Sequence, residues 1–308
     1  MNKKPLIIIC GPTASGKTLT AVNLARHKGE IISADSMQIY KDMDIGTAKP
    51  DKKILKIVKH HMIDIMTPDR DFSAHEFRLR ADKIIKDIYN RKKIPFVVGG
   101  TGLYIRALMF GLSRAPGRDA RIRKRLKSLL EKKGLPSLYQ KLKKVDPVYA
   151  DLISCHDPVR IIRALEVFYQ TGKPFSQFIK RHRSRSRYHA LWIGLTLERK
   201  KLYEMIDQRT ESMFKKGFVQ ETEHLLKMGY RPENIRKHGI GYSDIIDYLE
   251  KKITLAQAIE NVKKKTRRYA KRQMTWFKKE RQIEWFREEQ FSEIPNRVSR
   301  WLKRINFY

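Results

Sequence analysis

The sequence predicts an α/β fold: a parallel-sheet core, interrupted by a helical insertion domain and completed by C-terminal helices. Three observations predict it. Apolar runs of strand length alternate with amphipathic helical stretches over residues 5–110. A glycine-rich loop joins the first strand to the first helix. The alternation then stops near Ser113, giving way to a basic stretch without a convincing strand that lasts to about Ser186.

Leu6–Cys10 is apolar throughout, long enough for one buried parallel strand. Gly11–Thr18, reading GPTASGKT, fits the pattern G-x-x-x-x-G-K-[ST] without a mismatch, and Leu19–Arg26 reads as a helix. Strand, glycine loop and helix in that order make the core P-loop NTPase-like. Gly11, Pro12, Thr13, Ala14, Ser15, Gly16, Lys17 and Thr18 are therefore expected to hold a di- or triphosphate. Backbone N–H groups turn inward around the phosphate oxygens, and the helix N-terminus adds partial positive charge. Lys17 is expected to neutralise a terminal phosphate. The Thr18 hydroxyl is expected to complete the shell of Mg²⁺, the one cofactor expected.

Glu30–Ala34 reads as a second strand ending at Asp35, and His61–Ile65 as a third. Ala74–Tyr89 is an amphipathic helix with Phe77, Ala81, Ile84, Ile85 and Ile88 on one face. Ile94–Val98 is a further strand that runs into Gly99-Gly100-Thr101-Gly102, and Leu103–Phe110 starts another helix. Ligands of such sheets sit beyond the carboxyl ends of the strands, so the phosphate loop, Asp35 and Thr101 should share one rim.

The insertion carries turn signals at Gly117, Gly134-Leu135-Pro136, Asp146-Pro147 and Gly172-Lys173-Pro174, with Asp157–Tyr169 as its firmest helix. Ala190–Leu195 should return to the core sheet. Helices follow at Glu198–Lys215, Val219–Met228 and Thr254–Lys279. In the last, Leu255, Ile259, Val262, Thr266, Tyr269, Gln273 and Trp276 share a face, opposite Lys264, Arg267, Lys271 and Lys278. The expected organisation is a first part of the α/β core at 1–113, a basic helical insertion at 114–189, and core completion with basic helices at 190–308.

Lys and Arg number 67 against 33 Asp and Glu, a formal net charge of +34. A small-metabolite enzyme has no need of that excess, whereas a polyanion would be held strongly and salt-dependently. The charge is clustered: nine Lys/Arg in 114–133, five in 180–187 and ten in 263–281. Two cysteines, Cys10 and Cys155, are too few for a zinc finger or a disulfide framework, which points to a reducing cytoplasm. Cys10 is expected to pack rather than react. The start leads directly into the first strand, leaving no room for a signal peptide. No apolar stretch approaches the roughly 20 residues of a membrane helix. His60, His61 and His75 lack partners at ligand spacing and are read as structural.

Several stretches together resemble tRNA dimethylallyltransferases: GPTASGKT; Asp35–Tyr40 followed by Met43–Pro50; His60–Asp64; Val98–Tyr104; Asp157–Arg160 with Arg163–Val167; Gly241-Tyr242; and Thr266–Trp276. They run in the family's order from residue 6 to about 280. Ser243 departs from many members, which carry a polar residue such as Gln or Lys there. The resemblance implies transfer of a dimethylallyl group from dimethylallyl diphosphate to N6 of adenosine 37, beside the anticodon, in tRNAs that read codons beginning with U. It implies Asp35, Thr101, Lys17 and Arg209 as the residues of the chemistry. It implies tRNA contacts at Asp35, Ser36, Met37, Gln38, Thr101, Arg123, Arg160, Arg163, Gly241, Tyr242, Lys271 and Arg272. The expected partners are the anticodon stem-loop and dimethylallyl diphosphate, with no membrane, and the chain is expected to act as a monomer.

The residues bear on this chemistry in their own right. An adenine amine is a poor nucleophile, and a carboxylate accepting one N6 proton would orient it and take that proton. Asp35 suits that role, and a magnesium-binding aspartate is its competing reading. Thr101 can serve as a helix N-cap as well as at the site. Arg209 read from sequence alone is an exposed helix charge. Arg121, Arg123, Arg160 and Arg163 are candidates for RNA backbone contacts, and each can equally be a solvated charge. Three rivals stay open: a P-loop kinase or NTPase, an adenylate isopentenyltransferase acting on free AMP, and an RNA-binding module with a vestigial phosphate loop. The basic clusters argue against the first two, and the intact Gly16, Lys17, Thr18, Asp35 and Thr101 against the third.

Overall fold

The computed structural model describes residues 4–180 and 186–305, so most of the basic run at 180–187 lies outside the described residues. The described chain forms two compact units, residues 4–109 with 186–305, and residues 110–180.

The first unit opens with β1 (Pro5–Cys10), α1 (Lys17–Ala25), β2 (Gly29–Ser33), α2 (Lys52–Ile57), β3 (His60–His61), α3 (Ala74–Asn90), β4 (Ile94–Gly99) and α4 (Gly102–Phe110). The second unit holds α5 (Ala120–Val145), α6 (Pro147–Asp151), α7 (Pro158–Thr171) and α8 (Phe175–Lys180). The chain then returns through β5 (His189–Leu195), α9 (Arg199–Lys215), α10 (Phe218–Lys227), α11 (Pro232–Arg236), α12 (Tyr242–Leu249), α13 (Leu255–Phe277), β6 (Ile283–Phe286) and α14 (Ile294–Arg304).

The strands make one six-stranded sheet in the order β3-β2-β4-β1-β5-β6, with every neighbouring pair parallel. β1 lies inside it, Ile8 pairing with Val97 on one side and Trp192 on the other. Leu6–Cys10 are wholly buried on both faces, which is why the run is continuously apolar rather than alternating. Ile7, Ile9, Val98 and Ile193 pack against Val22 and Ala25 of α1 and against Val298, Trp301 and Leu302 of α14. Glu30 of β2 is buried and takes Arg91 at 2.8 Å and His61 at 2.7 Å. Burial alone would raise its pKa, but these partners outweigh that and hold it at about 2.

Two expectations are corrected. The third strand is only His60–His61, not His61–Ile65, because Met62 and Asp64 take φ of 66° and 55°, which no strand accommodates. The sheet also has a sixth strand, β6, and a closing helix, α14, that the sequence reading left unassigned. β6 is four residues long, too short for a pattern to show, whereas α14 carries Ile294, Val298, Trp301 and Leu302 at helical spacing, a stripe that was there to be read.

The second unit is helical, as expected. Gly134, with φ of 73°, breaks α5 into two segments at the predicted turn, and Gly172 ends α7 in the left-handed region. Leu126, Leu138, Leu142, Ile161 and Leu165 form its core.

Candidate active site

The carboxyl ends of β1, β2 and β4 carry the loops that build the site. Gly11 has φ of 142°, and a Cβ there would lie 2.4 Å from the Leu195 carbonyl oxygen, so only glycine lets the loop leave β1 against β5. Gly16, at φ of 85°, is the N-cap of α1 and offers no capping side chain, which leaves the first N–H groups of the helix for a ligand. Ser15 Oγ donates to the Pro12 carbonyl at 2.9 Å and ties the loop together; Lys17 Nζ donates to the same carbonyl. Burial, and then the Arg209 charge, lower the Lys17 pKa to about 8, with Asp35 opposing. An ammonium so placed lacks its counter-ion. Cys10 at the end of β1 is pushed up to about 12 by burial, so it remains a packed thiol.

Asp35 follows β2. Its Oδ1 accepts the Met37 N–H at 2.8 Å, which turns the chain beside the cavities that Asp35 lines. Thr101 Oγ1 accepts the Ser36 N–H at 3.0 Å, while the Thr101 carbonyl accepts the Tyr104 N–H at the start of α4. Thr101 thus begins a helix and links the ends of β2 and β4. Arg209 reaches in from α9 and donates from Nη1 to Thr13 Oγ1 at 3.3 Å; it is not the exposed charge that sequence alone suggested. From α13, Gln273 Oε1 accepts the Thr13 N–H at 2.8 Å and Nε2 donates to the Gly100 carbonyl at 3.1 Å. The Tyr269 hydroxyl lies against Thr101 and Gln273. Burial and the Asp35 charge raise its pKa, so it stays a neutral phenol.

Two cavities meet here. One, of about 450 Å³, is lined by the phosphate loop from Thr13 to Thr18, with Gln38, Gly100, Lys216 and Gln273. The other, of about 310 Å³, is lined by Ser36, Met37, Met213, Gly239, Val262 and Arg272. Thr13, Ala14, Asp35, Arg209 and Tyr269 line both. A carboxylate and a guanidinium therefore stand between a cradle suited to phosphate and a second pocket lined by both apolar and polar side chains. Among the described residues no group of three His, Cys, Asp or Glu could hold a metal ion. The oxygen donors at the cradle, Thr18 among them, suit a hard cation that keeps most of its shell from phosphate and water.

The stretch Met43–Pro50 is a wrapped loop. Glu221 of α10 accepts the N–H groups of Asp44, Ile45 and Gly46 at 2.8, 2.6 and 2.9 Å, and the Tyr242 hydroxyl at 2.8 Å. The Lys49 side chain, 4% exposed, donates to the Tyr40 carbonyl, Asp44 and Asp64. Gln38 accepts Ser33 Oγ at 2.9 Å and donates to the Ala48 carbonyl.

Some residues expected at the RNA are occupied otherwise. Tyr242 is fully buried against Phe218 and Gly46, and Gly241, at φ of 108°, packs on Phe218; both set the loop rather than present a surface. Arg123 and Arg163 each bond the buried Glu166 at 2.7 Å, and Arg163 also donates to the Gly117 and Pro116 carbonyls. Burial would raise the Glu166 pKa, but these arginines hold it below the ordinary glutamate value. The two guanidiniums are thus taken up inside the insertion. Arg160 stays 54% exposed, with Asp157 at 3.5 Å, and Arg121, Lys271 and Arg272 are exposed; Arg272 lies over the Tyr269 ring. His61 bonds Glu30, His60 Nδ1 donates to the Val58 carbonyl, and His75 is exposed, in keeping with structural roles.

Gln273 and Glu221 were not singled out as site residues. Gln273 had a signal, being an amide on an otherwise core-facing helical stripe. Glu221 had none, because the three backbone N–H groups it accepts lie more than 170 residues away.

The family model described as IPP transferase matches residues 38–280. A tRNA dimethylallyltransferase 2 of Geotalea daltonii is 50% identical over 91% of this chain and 86% of its own length. Among solved structures, the full-length tRNA isopentenylpyrophosphate transferase of Bacillus halodurans is 38% identical, covers 98% of each chain and has a TM-score of 0.72. A eukaryotic dimethylallyltransferase acting on tRNA is 29% identical over 92% of this chain and 74% of its own, with a TM-score of 0.79. A diphosphate substrate, as the family description implies, generally needs a divalent cation. No helix among the described residues is long and apolar enough to cross a membrane. With a phosphate loop, a carboxylate between two cavities and these matches, the chain belongs to the IPP transferase family and is a prenyltransferase.

Proposed function

We propose that this chain transfers the dimethylallyl group of dimethylallyl diphosphate to N6 of adenosine 37 in tRNAs reading codons that begin with U. The observation that carries the reading is Asp35 between the two cavities, shared by the phosphate cradle and the second pocket. The diphosphate lies along the phosphate loop, and the adenine, turned out of its stack, enters the second pocket. The N6 lone pair forms the new bond to the allylic C1. The C1–O bond breaks and its electrons leave with diphosphate. Asp35 accepts the proton that N6 gives up. Lys17, Arg209 and the N–H groups at the start of α1 stabilise the charge that grows on the leaving group. Thr18 would hold Mg²⁺, which when bound neutralises diphosphate oxygens.

Residues 114–189 act in this reading as an RNA clamp on the anticodon stem, through exposed cations such as Arg121 and Arg160, which position rather than read the RNA. Lys271 and Arg272 contribute from α13, and Ser36 and Met37 line the pocket of the base, with Thr101 holding the Ser36 N–H and Gln38 reaching in from the cradle side. The enzyme works as a monomer in the cytoplasm. Incubation with labelled dimethylallyl diphosphate, offering total tRNA or AMP, followed by nucleoside analysis, tests the proposal. N6-(dimethylallyl)adenosine should form in tRNA, and AMP should remain unlabelled at comparable concentration. Efficient prenylation of AMP would overturn the acceptor assignment.

A further inference from the structure

Thr13 holds both ends of an unusual relay. Its hydroxyl accepts Arg209, the cation that lines both cavities, and its N–H does not point to a ligand but into the Gln273 carboxamide. Gln273 is 5% exposed and uses its other end on the Gly100 carbonyl, in the loop after β4. Its orientation is fixed by chemistry: an N–H requires the amide oxygen, and a carbonyl requires the amide nitrogen. A Cβ on Gly100 would sit 2.0 Å from Gln273 Nε2, so the loop is shaped around this side chain. One turn earlier on α13, Tyr269 lies against Thr101 and Asp35.

We infer that Gln273 is a positioning residue for the donor diphosphate: from α13 it fixes Thr13, and through Thr13 it fixes Arg209 and the opening of the phosphate loop. The inference rests on the proposed donor site and extends it to a residue that touches no reacting atom. An apolar isostere leaves a buried N–H and a buried carbonyl without partners, and the loop must move to satisfy them. That movement withdraws Arg209 from the diphosphate. The exposed cations of α13, Lys271 and Arg272, keep their helix and their RNA-facing role.

The test compares Gln273→Leu and Gln273→Glu with the parent full-length chain. It measures dimethylallyl diphosphate binding by calorimetry without tRNA, tRNA binding without donor, and steady-state KM and kcat. Gln273→Leu should weaken donor binding about tenfold or more, the scale of one buried amide left unpaired, and raise the donor KM while tRNA affinity stays within about twofold. Gln273→Glu adds a readout that a purely structural role would not move. Its protonated acid can donate to the Gly100 carbonyl and accept the Thr13 N–H, so donor affinity relative to the parent should recover as pH falls from 8 to 5.5. If Gln273→Leu does not fold, the pH series of Gln273→Glu decides alone. Unchanged donor affinity in Gln273→Leu, an equal loss of tRNA affinity, or a Gln273→Glu ratio flat with pH would overturn the inference. Failure of the parent to bind the donor would instead refute the proposed function.

Discussion

The rim of the sheet and the helical insertion both carry arginines and lysines from family-like stretches, yet they treat them in opposite ways. At the rim, Lys17 and Arg209 are half-buried with only a carbonyl and a hydroxyl as hydrogen-bond partners, and desolvation lowers both pKa values. In the insertion, Arg123 and Arg163 close on Glu166, itself fully buried. A half-buried cation with no carboxylate bonded to it is poised for an anionic ligand; one already paired is a structural part. What decides availability is whether a buried acid has claimed the charge, and motif membership does not report that.

The largest effect expected from this contrast is on the insertion's own stability. Glu166→Ala takes the carboxylate from two guanidiniums, leaves the Asp119 N–H unpaired and should destabilise the chain by about 3 kcal/mol. Because the folded pKa lies below the ordinary value, the Glu166 contribution is complete above the unfolded glutamate pKa. It is lost as pH falls through the folded one. Denaturant unfolding of parent and variant at several acidic pH values should therefore show the two converging. A difference that grows on acidification would break the comparison.

At the rim the expected effect falls on ligand binding. Burial and the Arg209 charge bring the Lys17 pKa down to about 8, so raising the pH through that value should remove the charge that the donor needs. The donor KM should climb by up to about tenfold per pH unit above 8, while the tRNA KM changes much less. A donor KM flat to pH 9.5 would mean that Lys17 stays charged and the rim is less deprived than described.

The smallest effect sharpens the contrast within the insertion. Replacing the exposed Arg121 and Arg160 together by Ala should raise the apparent constant for tRNA a few-fold. The salt dependence should become shallower by about one unit of slope per lost contact at most. Arg123→Ala should instead lower the unfolding midpoint and leave the salt slope unchanged. If Arg123→Ala flattened the slope and the exposed pair did not, the roles would be reversed.

Much of this was legible before the structure. β1, the phosphate loop and α1 are contiguous, so periodicity and glycine spacing suffice to read them, and the rim rule brings Asp35 and Thr101 beside them. The return of β5 to the sheet was legible from its apolar run. What escaped depends on contacts far apart in the chain. Glu221 collects three N–H groups from Asp44–Gly46, and Glu166 takes up Arg123, turning expected RNA contacts into internal ones. β6 escaped because four residues carry too little pattern, and His61–Ile65 was overread because its apolar alternation hides two left-handed residues.

Asp35 remains the residue on which the account turns, since it alone among the carboxylates lines both cavities. The most direct measurement is single-turnover transfer by Asp35→Ala, with donor and tRNA both saturating and their binding measured separately. The account predicts binding of both substrates near the parent's and a turnover lower by roughly 10²–10⁴, the contribution of a positioned general base. Turnover at the parent's rate with both substrates bound would contradict it.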